Sequence, residues 1–509
     1  SRAISPGRRR PGRMVLPSPG EHPVTATARP RFSVLIPTRD RPSYVRNALE
    51  SVLNQTFADF EVVVCDNFKD RPCKAEVEAF ADARVRYVVP PEPLAMHDNW
   101  EFAIDQARGD FVLILIDKTL LRLSALERLE AATRSHPADI YSWTSDAYCL
   151  THEAEGEVGR GYIIPVRAAG EPFYVDCGQE MAARLSFRDR LGTEGPSYNY
   201  GKICFGAYSR ALIARIKARF GRVCPLVSPD YTSKTVALLS TDRLVDVHAS
   251  CGVHLNTTIS NGMRFSQDTT HARAFLLQAG IDEAAFADLP IPHVFCSVHN
   301  VCAYDWRMID IVRPGQDYRT DSLDLAELFM QVEADLDAVR NWASENERAA
   351  IMGRMRTFVD SAPLPLRERI FALRSRRTQA ALAAREAAVA ALEDTVKDGE
   401  RRLAAREQAV QRREAEMSAR EAVLARWRAR LAPVLPLYRL LLRVKRAVQD
   451  RPETATPQPV ASSPAEATPS VTGPVVNGFP AFAATLDALR YAETAHYTYP
   501  LPKPPPAPR

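Results

Sequence analysis

Between Phe32 and Ile116 short apolar runs alternate with helical periods, and no other stretch limits the fold so tightly. Phe32-Ser-Val-Leu-Ile-Pro37 reads as a buried strand ended by proline, and Phe60 to Cys65, Val85 to Val89 and Phe111 to Ile116 repeat the pattern. Tyr44, Val45, Ala48, Leu49, Val52 and Leu53 recur at three to four residues, behind a Pro42 suited to a first helical turn. Residues 73–81 and Met96 to Ala107 read as further helices, with Asp98 or Asn99 able to cap the second. Strands apolar on both faces, separated by helices, specify a mostly parallel α/β sheet with right-handed crossovers.

The pattern weakens after residue 122. Ile140 to Trp143 and Leu244 to Val247 are expected as strands, Tyr208 to Phe220 and Asp230 to Leu239 as helices, and Gly156 to Gly178 as a long loop. Residues 323–360 carry long helical periods. Farther on, Leu382, Val389, Val396, Leu403, Val410, Met417, Leu424 and Leu431 recur at intervals of seven, which is a coiled-coil seam. The second core position holds Arg385, Leu392, Gly399, Arg406, Arg413, Arg420 and Trp427, so a solitary solvated helix is the competing reading. Residues 433–450 place Arg439, Arg443 and Arg446 on one face and Leu437, Leu441, Val444 and Val448 on another. Such a helix suits an anionic membrane surface or a groove on its own enzyme.

Of the 38 prolines, six lie in residues 1–31 and thirteen in 452–509, so the two ends differ from the middle. Residues 1–30 are expected as a disordered basic arm, without the apolar segment of a secretory signal, and 451–509 as a disordered Pro-rich tail. The chain starts at Ser1 without an initiator Met, which implies processing or a missing upstream segment. No apolar run approaches the roughly 20 residues of a spanning helix. Net charge is +4, which gives no reason to expect a nucleic-acid partner. Nine cysteines, odd in number and never spaced as CxxC, argue against a disulfide framework or a zinc ribbon and for buried thiols in a reducing cytosol.

Four motifs in order, Phe32 through Pro42 (FSVLIPTRDRP), Ala48 through Thr56 (ALESVLNQT), Phe60 through Asn67 (FEVVVCDN) and Ala107 through Phe111 with Ile116-Asp117, resemble a family 2 glycosyltransferase. The resemblance is close over residues 31–135 and looser over 195–265. It implies a GT-A fold, a nucleotide-diphospho-sugar donor and inverting transfer to an acceptor hydroxyl. Ligands of open α/β sheets sit at the carboxyl ends of strands. Pro37, Thr38 and Arg39 end the first strand and Asp66 the second, which places them where the family holds its nucleotide. Asp66 is alternatively a loop-closing Asx turn, and Arg39 a solvated loop charge. In similar enzymes an Asn in the helix before the fourth strand approaches the nucleotide, which points to Asn99.

Asp117 occupies the first position of the family's Asp-x-Asp motif, where two carboxylates hold ribose and a divalent metal, Mn or Mg. Here Lys118 and Thr119 follow, so metal ligation by Asp117 lacks its second acid. Lys118 is the candidate fixed charge for the diphosphate, against a plain surface lysine in a decayed site. Asp230, after Pro229, has the form of the family's base, as well as of an ordinary helix N-cap, with His248 and His254 as runners-up.

The expected organisation is a basic arm (1–30), a GT-A domain (31–265), an α-helical extension (266–375), a coiled coil (376–432), a basic amphipathic helix (433–450) and the tail (451–509). The expected activity is glycosyl transfer in surface glycan or polysaccharide synthesis. Its acceptor would be a glycan or lipid-linked one, and the enzyme a cytoplasmic homo-oligomer with a possible peripheral membrane contact. The alternative is a non-catalytic nucleotide-binding scaffold organised by the coiled coil. A nucleotidyltransferase is disfavoured because no Gly-rich phosphate loop follows the first strand.

Overall fold

A computed structural model describes residues 29–150, 161–165, 170–187, 199–256, 260–312, 323–432, 438–439, 475–476, 479–480 and 485–494. The chain divides into two units, residues 1–362 with 473–509, and residues 363–472.

In the first unit β1 (Phe32–Thr38), α1 (Pro42–Leu53), β2 (Phe60–Asp66), α2 (Lys74–Glu78), β3 (Val85–Val88), α3 (Met96–Asp105) and β4 (Phe111–Ile114) alternate as the sequence predicts. Every residue of β1, β2 and β4 is buried, the reason each reads as an unbroken apolar run. β3, β2, β1 and β4 lie side by side and parallel. Gly109 lets β4 close on β1: its amide bonds Ser33 Oγ at 2.7 Å, and a Cβ there would meet Ser33 N at 2.6 Å.

Next come β5 (Thr119–Leu121), α4 (Ala125–Ser135), β6 (Ile140–Leu150), β7 (Gly161–Ile164), β8 (Phe173–Val175), α5 (Cys177–Leu185), β9 (Gly206–Ser209), α6 (Arg210–Phe220), α7 (Pro229–Leu238) and β10 (Leu244–Asn256). The sheet order is β3-β2-β1-β4-β9-β6-β10-β5. β9 runs antiparallel to both β4 and β6, and β5 antiparallel to β10, so the second half of the sheet is mixed rather than mostly parallel. Two local expectations change with it. The segment from Gly156 to Gly178 contains β7, β8 and the start of α5, and Tyr208 belongs to a strand, with its helix beginning at Arg210.

The helical extension, α8 (Asn261–Gln267), α9 (Thr269–Gln278), α10 (Val298–Val312), α11 (Leu325–Ala338) and α12 (Glu345–Ser361), belongs to the same unit, and α10 packs on α7. The tail expectation needs one correction: Thr485–Thr494 is a helix of this unit. Its Ala488, Leu489 and Ala492 are buried among Leu120, Tyr148, Ile163, Val253 and Leu255. Arg122, in a buried ion pair with Asp146, donates Nη1 to the carbonyl of Ala492 at 3.1 Å, and Ser124 Oγ donates to Glu493 at 2.8 Å. A run of apolar residues at helical spacing thus outweighs the Pro-rich composition around it.

The second unit holds one 68-residue helix, Leu364–Leu431, about 100 Å long at 1.5 Å per residue. Its heptad residues are open to solvent, from Leu431 at 46% to Leu403 at 61%. The basic amphipathic segment 433–450 lies outside the described residues except for 438–439, as does the arm before residue 29. Among the described residues, no helix is long and apolar enough to cross a membrane.

Candidate active site

β1 and β4 are neighbours while the chain leaves β1 toward β2, so the strand order reverses at β1 and leaves a crevice at its carboxyl end. Thr38 and Asp66 face each other in register there, closing β1 and β2. Past β4 the chain reaches Asp117, buried, with Oδ2 accepting from Thr38 Oγ1 at 2.9 Å and Oδ1 from Arg41 Nη1 at 3.1 Å. Arg41 also donates to Asn261 Oδ1 at 3.3 Å, and Lys118 Nζ to Ser260 Oγ at 2.7 Å. The start of α8 therefore meets both cations. Burial pushes the Lys118 ammonium down to about 8; the charges of Asp117 and Asp230 resist this, and Arg41 adds to it.

Asp66 is fully buried, and its Oδ2 accepts from Cys73 N at 2.6 Å and Tyr87 Oη at 2.8 Å. Its Oδ1 has no partner. Burial raises this carboxyl above its ordinary value, against the pull of those two donors. Burial also pushes the Cys73 thiol up to about 12, with the charges of Asp66 and Asp117 both adding. Asp40, at φ 56°, turns the chain after β1 and gathers the amides of Lys69, Asp70 and Arg71 on Oδ1. Burial alone would raise its carboxyl, but those amides and Arg39 hold it below the usual range.

Asp230 sits in the first turn of α7, after Ser228 and Pro229. Its Oδ2 pairs with Lys202 Nζ at 3.0 Å, and its side chain keeps 25% exposure. Asn99 is buried inside α3, which packs against β1, β2 and α7, and its Oδ1 has no partner. The capping expectation for α3 is corrected: Ala95 stands at its N-cap, and Asp98 instead pairs with Arg222 at 2.7 Å. His254 is tucked beside Thr119 and Lys118, where burial and the neighbouring ammonium push its imidazole down to about 3, so it is neutral. His248 turns away to the carbonyl of Glu171.

Thr38, Asp66 and Asp117 come together at the carboxyl ends of β1 and β2, with Thr38 Oγ1 donating to Asp117, while Lys118 feels the charges of both Asp117 and Asp230. Pro37 is buried in β1 opposite Cys65. The charge of Arg39 acts on Asp40, and Arg41, two positions later, is the arginine that donates to Asp117. Sequence reasoning missed Arg41 and Lys202. Arg41 stands in the quoted motif; no local pattern marks Lys202.

Hard divalent cations need several oxygen ligands. Both oxygens of Asp117 are taken by donors, two cations flank it, and no group of three or more His, Cys, Asp or Glu suited to a metal occurs among the described residues. The donor set does not fit a metal held by Asp117.

The family model for glycosyl transferase family 2 matches residues 33–150. A curated relative, the GalNAc(5)-diNAcBac-PP-undecaprenol beta-1,3-glucosyltransferase of Campylobacter jejuni, is 29% identical over 136 residues, 26% of this chain. The chain spans 42% of that relative's length. Among solved structures, TarS 1–349 of S. aureus in complex with UDP-GlcNAc aligns over 66% of this chain and 90% of its own, with 16% identity and a TM-score of 0.36. The mannosyltransferase PcManGT of Pyrobaculum calidifontis, with GDP-Man and Mn2+, aligns over 70% and 81%, with 16% identity and a TM-score of 0.34. The matched segment carries β1, β2, β4 and the residues at their carboxyl ends, so the likeness to glycosyl transferase family 2 lies in residues 33–150 of this chain.

Proposed function

We propose that the chain transfers a hexosyl group, with inversion, from a nucleotide-diphospho-sugar to a hydroxyl of a glycan or lipid-linked acceptor. The observation that carries this is the buried Asp117, held by Thr38 and Arg41 past β4, beside the buried Asp66 that ends β2. The buried, unpartnered Oδ1 of Asp66 suits a nucleobase N–H, which uracil, thymine and guanine offer beside a carbonyl. Thr38 and Asn99 line the same strand and helix ends, and Asp117 is the candidate ribose contact. The curated relative's name specifies a polyprenyl-diphosphate-linked substrate, which favours a lipid-linked acceptor.

In the proposed step, a carboxylate oxygen of Asp230 takes the acceptor proton as the acceptor oxygen attacks the anomeric carbon. The bond from that carbon to the β-phosphate oxygen breaks, and the nucleoside diphosphate leaves with the electron pair. Lys118, with Arg41 behind Asp117, supplies the fixed positive charge that faces the growing negative charge. The long heptad helix would pair with a second copy, since its seam is apolar and open.

The test is release of UDP or GDP from UDP-glucose, UDP-GlcNAc and GDP-mannose in the presence of a polyprenyl-diphosphate-linked glycan. Turnover by the parent and a loss of at least a hundredfold in Asp230→Asn are expected. Full turnover by Asp230→Asn removes the base assignment. Nucleotide binding without turnover by the parent favours the scaffold reading, which the missing second acid of the motif supports.

A further inference from the structure

Lys202 lies 28 residues before Asp230, outside every motif, and its side chain is wholly buried. A buried ammonium is tolerated only when paired and hydrogen-bonded, so its partner is informative. Here Nζ stands 3.0 Å from Asp230 Oδ2 and 3.8 Å from the centroid of the Tyr231 ring. The opposite charge of this pair is not fully buried: the Asp230 side chain keeps 25% exposure. The lysine is thus a post inside the protein that grips one oxygen of a carboxylate at its surface.

The post is well rooted. Gly201, at φ 79°, donates its amide to Ser142 Oγ of β6 at 3.0 Å, and its carbonyl accepts from Tyr208 Oη of β9. The amide of Phe205 closes a turn onto the carbonyl of Lys202 at 3.1 Å. A Cβ on Gly206 would collide with the carbonyl of Tyr141, so the turn is pressed against β6. From α5, the Arg184 guanidinium lies 4.2 Å from the Tyr231 ring and 4.9 Å from that of Trp306, which fixes the ring that Lys202 rests on.

We infer that Lys202 is the positioning residue for Asp230: by holding Oδ2 from inside the sheet, it presents Oδ1 to the acceptor hydroxyl. Oδ2 is the oxygen that Lys202 holds, and the Asp230 side chain keeps 25% exposure. The inference rests on the proposed role of Asp230 as base. A proton acceptor contributes only when it is held in the line of attack, and an error of about 1 Å in such a group lowers a rate by about a hundredfold. Lys202 reaches Asp230 and Tyr231 at the start of α7, so its removal is expected to act on the chemical step rather than on donor capture.

The experiment compares Lys202→Met, Lys202→Arg and Asp230→Asn in the full chain. It follows nucleoside diphosphate release from whichever of UDP-glucose, UDP-GlcNAc and GDP-mannose the parent turns over. Lys202→Met is expected to lose ten- to a hundredfold in kcat with donor KM within threefold of the parent. It should also keep the rise in melting temperature that UDP or GDP produces. Lys202→Arg, which keeps a donor at that place, is expected to recover part of the loss. Parent-like kcat in Lys202→Met, with Asp230→Asn impaired, overturns the inference and leaves the base assignment standing. Loss of donor KM and nucleotide stabilisation along with kcat also overturns it, because a general structural role would then account for the effect. Parent-like turnover in Asp230→Asn overturns the base assignment first.

Discussion

Asp305→Asn is the sharpest test of how α10 supports the helix that carries Asp230. Asp305 is wholly buried on α10, and its Oδ2 accepts from the amide of Ser228 at 3.0 Å and from the Ser228 hydroxyl. Ser228 is the N-cap of α7 but makes no side-chain cap of its own, so the carboxyl from α10 receives its amide instead. Oδ1 of Asp305 has no partner. Burial pushes this carboxyl up to about 7; the Ser228 bonds pull it down and the charge of Asp230 pushes it farther up. Between its ordinary 3.8 and about 7, the folded chain therefore holds a proton that the unfolded chain has released. Stability should fall as pH rises through that window and level off above about 7. A rise from 3.8 to about 7 corresponds to at most about 4 kcal/mol at 1.36 kcal/mol per pH unit. Asparagine keeps an acceptor for Ser228 and cannot ionise. Asp305→Asn should match the parent within about 1 kcal/mol at pH 5 and exceed it at pH 8, where the parent carries the buried charge. Melting temperatures of parent and variant from pH 5 to pH 8 measure this, with a gap of several degrees opening only at the upper end. Parallel curves, or a variant less stable at pH 8 than the parent, would refute the reasoning.

Two more outcomes follow from the site and the heptads. Turnover should survive EDTA, and Lys118→Ala should lower kcat by about a hundred- to a thousandfold, the usual loss when one fixed donor to a developing charge is removed; activity abolished by EDTA and restored by Mn2+ contradicts this. Light scattering should give an oligomeric mass for the full chain and a monomeric one after excision of residues 363–472, and a monomeric full chain dismisses the coiled-coil pairing.

The legible part of the fold is the part whose burial is local. β1, β2 and β4 are covered on both faces, so each announces itself by consecutive apolar residues, and the residues at their ends follow. β9 escaped because Gly206–Ser209 is only four residues long and runs straight into a helix whose apolar spacing absorbs Tyr208. The start of α3 was misread because Asp98 looks like a cap but answers to Arg222, 124 residues away. Lys202 shows the deeper limit. A lysine is ordinarily a solvated charge, and only the folding of β6, β9 and α7 around this one turns it into an internal anchor. Arg41 lies between these cases, since its motif was recognised and Arg39 was the arginine singled out within it, while Arg41 is the one bonded to Asp117.

The helix Thr485–Thr494 alters what shortening this protein would mean. Stopping the chain at Ala362 to obtain a catalytic fragment would also strip the cover from Leu120, Val253 and Leu255. Leu120 stands three residues past Asp117, so such a fragment could lose activity for want of a lid on its hydrophobic floor, with no bearing on the heptads. A fair deletion removes 363–472 and rejoins the last 37 residues, Gly473–Arg509, to the body they belong to.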